Sequence, residues 1–133
     1  MNRKRVLDSY AVLAYLKREP NFEVVKNLLR NSGKGREFVL MNQINAGEVY
    51  YQVTRQNLAE DMDRFWNQFL QLPIVFIEND FDLIIEAARA KARFPMAYAD
   101  AFAVATALRE NASIVTGDPD FKQVESLVEI HWI

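Results

Sequence analysis

The sequence contains no cysteine, which excludes a disulfide scaffold, a thiolate nucleophile and every cysteine-based zinc, iron–sulfur or haem-attachment site. Histidine is nearly absent as well. His131, two residues from the end of the sequence, is the single imidazole, so two-histidine metal sites, serine-hydrolase triads and histidine acid–base pairs are disfavoured. No apolar run approaches the roughly 20 residues that cross a bilayer. Met1-Asn2-Arg3-Lys4-Arg5 leads into an apolar stretch cut short by Asp8, which is not the pattern of a secretory leader. No membrane association and a cytoplasmic location are the expectations. An excess of one charge is also lacking: 16 basic against 18 acidic residues give a net charge of −2. A polyanion would therefore be held by local basic groups or by bound cations, not by the overall field. Repeats and low-complexity segments are missing, and Asn31-Ser32-Gly33-Lys34-Gly35-Arg36 is the one loop-like cluster of any size.

What is present is 133 residues, half of them hydrophobic. That is enough for one real core, so residues 1–133 are expected to form a single domain burying roughly two-thirds of its unfolded surface. Short apolar runs alternate with helical patterns. Val6-Leu7, Phe38-Val39-Leu40-Met41, Ile74-Val75-Phe76-Ile77, Ser113-Ile114-Val115-Thr116 and Val128-Glu129-Ile130 read as strands. Helices are expected from Ser9 to Pro20, Phe22 to Arg30, Asn45 to Gln56, Leu58 to Leu70, Phe81 to Arg93 and Ala97 to Asn111. Gly117-Asp118-Pro119-Asp120 reads as a turn. Strands separated by helices require crossover connections, so the expected architecture is a three-layer α/β/α sandwich around a mostly parallel, Rossmann-like five-strand sheet. Ligands of such sheets bind beyond the carboxyl ends of the strands, where the strand order reverses.

Four acids fall where that crevice should be. Asp8 follows the first strand and Asp118 the fourth; Glu48 and Asp100 lie in the opening turns of two helices. Each of the first three has an ordinary alternative. Asp8 is a good helix N-cap, Asp118 fits a plain turn, and Glu48 fits a solvated helix face with Arg55 as a partner. Asp100 is different, because it is the one charge in the thirteen residues from Met96 to Leu108. A carboxylate in so apolar a helix costs several kcal/mol unless it is paired or coordinates a cation. Two carboxylates about 4 Å apart repel by roughly 4 kcal/mol at an effective dielectric near 20. Converging acids therefore need raised pKa values or a divalent cation, and no lysine or arginine stands beside any of the four in sequence. An all-oxygen donor set suits Mg2+ or Mn2+.

Val6-Leu7-Asp8-Ser9, Glu48 after a strand, Tyr98-Ala99-Asp100-Ala101-Phe102 and Val115-Thr116-Gly117-Asp118-Pro119-Asp120-Phe121 resemble the four acidic motifs of the PIN domain, specifically the VapC-type toxin ribonucleases. The resemblance covers essentially the whole chain, in the family's order. It implies a metal-dependent endoribonuclease, often dimeric and commonly paired with a small antitoxin. Carried over by motif, Asp8, Glu48, Asp100 and Asp118 are the expected catalytic and metal-binding acids. Thr116 is expected to orient the pocket, and Asp120 to assist or replace Asp118. Arg89 and Arg93, on one helix face before Asp100, are the expected contacts to an RNA substrate such as tRNA or rRNA; Lys34 and Arg36 are further basic candidates. The rival readings are a phosphatase or receiver domain, a non-catalytic PIN-like binding module, and a PIN-like nuclease in RNA or DNA processing without an antitoxin. A phosphatase would want an acid where Tyr10 stands, and a receiver would want a lysine near Thr116-Gly117-Asp118.

Overall fold

In the computed structural model, which describes residues 3–133, five parallel strands run in the order β3-β2-β1-β4-β5. They are β1 (Arg3–Leu7), β2 (Glu37–Asn42), β3 (Val75–Ile77), β4 (Ser113–Thr116) and β5 (Ile130–Trp132). Met1 and Asn2, at the head of the basic segment, lie outside the described residues. The central strands are apolar on both faces, as a parallel sheet covered on both sides requires. Val6, Leu40 and Ile114 point into one core with α5 (Phe81–Arg93) and α6 (Tyr98–Glu110). Leu7, Val39, Met41 and Val115 point into the other, with α1 (Ser9–Leu16), α2 (Phe22–Gly33), α3 (Gln43–Arg55) and α4 (Met62–Leu70). The expected three-layer sandwich is the observed one. Strand order reverses between β1 and β4, which places the crevice beyond Leu7 and Thr116.

Several boundaries differ from the sequence reading for identifiable reasons. α4 starts at Met62 and not Leu58, because Asn57 is left-handed (φ 52°) and Asp61 caps the helix by accepting from the Arg64 N–H at 3.1 Å. The last strand is Ile130–Trp132, two residues later than Val128–Ile130. Val128 is instead buried in the core, and its N–H closes the coil that follows a short 3₁₀ helix over Pro119–Val124. That 3₁₀ helix occupies what reads as a simple turn after Asp118. Toward the amino ends of the central strands Arg5, only 6 % exposed, pairs with Glu37 at 3.4 Å and donates to the Ser113 hydroxyl at 2.9 Å, tying β1 to β2 and β4.

Candidate active site

Asp8 is the first residue past β1, and both of its carboxylate oxygens are engaged. One carboxylate oxygen caps α1, accepting from the Ala11 N–H at 2.9 Å; the other accepts from the Thr116 hydroxyl at 2.5 Å. Thr116 Oγ1 in turn accepts from the Asp118 N–H at 3.0 Å, so one threonine joins the ends of β1 and β4. Asp118 caps the 3₁₀ helix through the Asp120 N–H at 2.9 Å. Glu48 is held by two hydroxyls, a short hydrogen bond from Ser9 and a longer one from Tyr51 at 3.3 Å, and not by Arg55.

Asp100 sits in the first turn of α6, is 8 % exposed and receives no hydrogen bond among the described residues. One oxygen each from Asp100, Asp118 and Asp120 lies within 4.8 Å of the others. Charges act across the whole group: Asp100 feels Asp118, Glu48 and Asp120, while Asp8 feels Asp100 and Asp118. Burial is the main cause that raises Asp100 from the usual 3.8 to about 7, with those neighbouring charges adding to it. Asp8 is also raised to about 7, again chiefly by burial, against the opposing pull of the Thr116 and Ala11 bonds. Some acids elsewhere in the protein have basic partners, with Asp80 on Arg109 at 3.0 Å, Glu86 on Arg89, Glu37 on Arg5 and Glu110 on Lys4. Among the described residues no lysine or arginine lies within 4.0 Å of Asp8, Glu48, Asp100, Asp118 or Asp120.

This donor set fits a hard divalent cation. It is all oxygen, uncompensated by protein charge, and leaves Asp100 and the outer oxygens of Asp118 and Asp120 free. Asp8 and Glu48 lie outside that group of three, and their oxygens already accept from hydroxyl or backbone donors, so each would reach a cation only through a remaining lone pair.

The basic candidates are dispersed. Arg89 pairs with Glu86 and lines a groove with Ala105 and Leu108, toward the far half of α6 from Asp100. Arg93, at the end of α5, stacks over the Phe94 ring at 5.0 Å. Lys34 and Arg36 follow α2, on the approach to β2, the end of the sheet opposite the acids.

Two asparagines escaped the sequence reading. Asn42, fully buried at the end of β2, bonds Asn79 at 2.8 Å and Thr106 at 3.0 Å and caps α3 through the Ile44 N–H. Asn45, also fully buried, donates to the Ala99 carbonyl at 3.0 Å, while its own carbonyl oxygen has no partner. It stands one helical turn before Glu48 and grips the residue before Asp100, so it sets the spacing between the two helices that bring those acids. The available signal was an amide on the apolar face of a helix, three residues ahead of a candidate acid.

No curated protein sequence is significantly similar to this one. Solved structures share the fold. The VapBC complex of Salmonella typhimurium bound to DNA matches with a TM-score of 0.76 at 16% identity, covering 97% of each chain. VapBC2 of Rickettsia felis bound to a promoter DNA fragment matches at 0.72 and 14%, covering 98% of each. FitAcB of Neisseria gonorrhoeae matches at 0.60 and 18%, covering 95% of each. The sequence pattern of the PIN domain matches residues 5–127, a span that holds Asp8, Glu48, Asp100, Asp118 and Asp120 together with Thr116 and Asn45. With that match running from within β1 to past the 3₁₀ helix, the chain belongs to the PIN domain family.

Proposed function

We propose that this protein is an endoribonuclease dependent on Mg2+ or Mn2+, the toxin of a VapBC-type toxin–antitoxin pair. The observation that carries the reading is the convergence of Asp100, Asp118 and Asp120 at the strand-order reversal, within the electrostatic reach of Asp8 and Glu48 and, among the described residues, with no lysine or arginine paired to them. Membership of the PIN family, a family of nucleases, and a fold shared with VapBC complexes support it.

Asp100, Asp118 and Asp8 would hold the cation, and Asp120 adds a further oxygen beside Asp100 and Asp118. Such a cation supplies positive charge against the phosphodiester and acidifies a water. The protein's own groups do the rest. Thr116 fixes the rotamer of Asp8 and the backbone of Asp118 together, so the last acid cannot drift from the first. Ser9 and Tyr51 hold Glu48 on the opposite rim, where it accepts the proton of the attacking water. Arg93, which pairs with no acid among the described residues, is the first candidate phosphate contact, and Arg89, which would first have to leave Glu86, is secondary. The remaining expectations belong to the same proposal: a structured RNA such as tRNA or rRNA as substrate, a small antitoxin, a second copy of this chain, and a cytoplasmic setting. Among the described residues no helix is long and apolar enough to cross a membrane.

The test is cleavage of tRNA or rRNA by purified protein given Mn2+. Chelation and, separately, Asp100→Asn should each abolish it. Cleavage that survives both, or no cleavage of any RNA with either ion, would overturn the proposal.

A further inference from the structure

Along α1 runs a groove that the mechanism leaves unused, and the residue at its head, Tyr10, touches the turn that carries Asp118. This residue is in the first turn of α1, two positions after Asp8, and 43% of its surface is exposed. Its hydroxyl makes no hydrogen bond among the described residues. The edge of its ring lies against Gly117: a Cβ added there would collide with Cε1, lie 2.8 Å from Cζ and come within 2.9 Å of the Ile133 carbonyl. Glycine at 117 therefore lets the ring close on the turn that carries Asp118. Ser9 donates to Glu48, and the next residue, Tyr10, packs its ring against Gly117, the neighbour of Asp118. Below the ring, Leu13, Ala14 and Lys17 continue the same helix stripe at i+3, i+4 and i+7, enclosing with Pro20 a cavity of about 430 Å³.

We infer that Tyr10 is a stacking platform for one nucleobase of the substrate strand, adjacent to the bond that is cut; this rests on the ribonuclease reading. An exposed ring gripped along its edge presents a rigid face, and base–aromatic stacking accepts any base because each has a π-face. The cavity holds a nucleobase with room for its ribose. Lys17 lies about 10 Å along the helix axis from Tyr10, and its one acidic partner among the described residues, Glu19 at 3.8 Å, is an exposed one that a phosphate readily replaces. Nucleic acid is favoured over a protein segment by continuity with the acids. A strand whose phosphate reaches Asp118 must lay a neighbouring base against the ring that touches Gly117.

The experiment measures binding of a short labelled single-stranded RNA spanning the cleaved bond, on the Asp100→Asn protein so that nothing is cut. A single abasic nucleotide is then moved along the strand. Tyr10→Leu should weaken binding by about 5- to 150-fold, and Tyr10→Phe should bind like the parent. At one position next to the cleaved bond, the abasic substitution should cost the parent a comparable factor and cost Tyr10→Leu nothing further, the signature of two groups in contact. In the cleaving enzyme the same change should raise KM more than it lowers kcat. Losses that multiply independently at every position, no position at which a missing base matters, or Tyr10→Leu binding as tightly as the parent would each overturn the inference. So would intact RNA binding in Tyr10→Leu accompanied by loss of a protein partner. If the unsubstituted protein cleaves RNA only with metal and these couplings are absent, the subsite alone is wrong; if it cleaves no RNA, the underlying reading falls and the subsite with it.

Discussion

Replacing Asp8 with asparagine should make the metal-free protein more stable, and the gain should vanish in acid. Folding moves the Asp8 carboxyl from the usual 3.8 to about 7, mainly by burying it. A carboxyl raised in this way contributes stability that is fully present below pH 3.8 and is lost as pH climbs through about 7. By linkage the difference corresponds to about 4 kcal/mol lost once the group is ionised, and Asp100 adds a loss of the same sign. The introduced amide keeps an oxygen for the Ala11 N–H but turns a donor toward Thr116 Oγ1, which already accepts from Asp118. Loss of the Thr116 hydrogen bond offsets about 1 kcal/mol or somewhat more of the gain. A net stabilisation of about 1–3 kcal/mol at ~pH 8 should remain, or about 4–12 °C in Tm for a chain of this length. The assay is thermal unfolding of both proteins in EDTA at ~pH 8 and ~pH 4.5, repeated with Mn2+. At a hundredfold excess over Kd the ion should stabilise the parent by about 2.7 kcal/mol and the variant far less. A variant no more stable than the parent at the higher pH, or equally favoured at both, would refute the electrostatic account of the pocket.

Asn45→Leu removes a buried amide whose oxygen is unpaired, so stability should change by no more than about 1 kcal/mol. Mn2+ affinity, read by calorimetry, should nevertheless fall about 10- to 100-fold as the α3–α6 spacing relaxes; unchanged affinity would contradict the role given to Asn45. Arg5→Ala leaves Glu37 largely buried without its partner toward the amino ends of the strands and should cost about 3 kcal/mol in denaturant unfolding. Mn2+ binding by the folded fraction should be untouched, and a loss of affinity there would show that the two ends of the sheet are coupled.

The strands that position the site were legible because a covered parallel sheet demands near-continuous apolar runs, and Val39-Leu40-Met41 and Ile114-Val115 meet that demand without help from context. Asp100 was legible for the converse reason, a lone charge in a helix that reads as buried. β5 was misplaced because residues 125–129 are set by a coil packed under the sheet, where Val128 is buried without being in a strand. Capping and a place in the acidic group looked like alternatives for Asp8 and Asp118; each carboxylate has two oxygens, and in both residues only one caps, which leaves the other for Thr116 in Asp8 and for the neighbouring acids in Asp118.

By itself the sequence determined that the chemistry would run on carboxylates, since it offers no thiol and one terminal imidazole, and that strands would alternate with helices. Only the tertiary structure decided which acids meet. That Asp120 joins Asp100 and Asp118, that Ser9 holds Glu48, that Thr116 links the first and last acids and that Asn45 reaches Ala99 all depend on strand order and on where helices cross the sheet. Hydrophobic periodicity records whether a residue faces the core, and it carries no record of which distant residue will face it there.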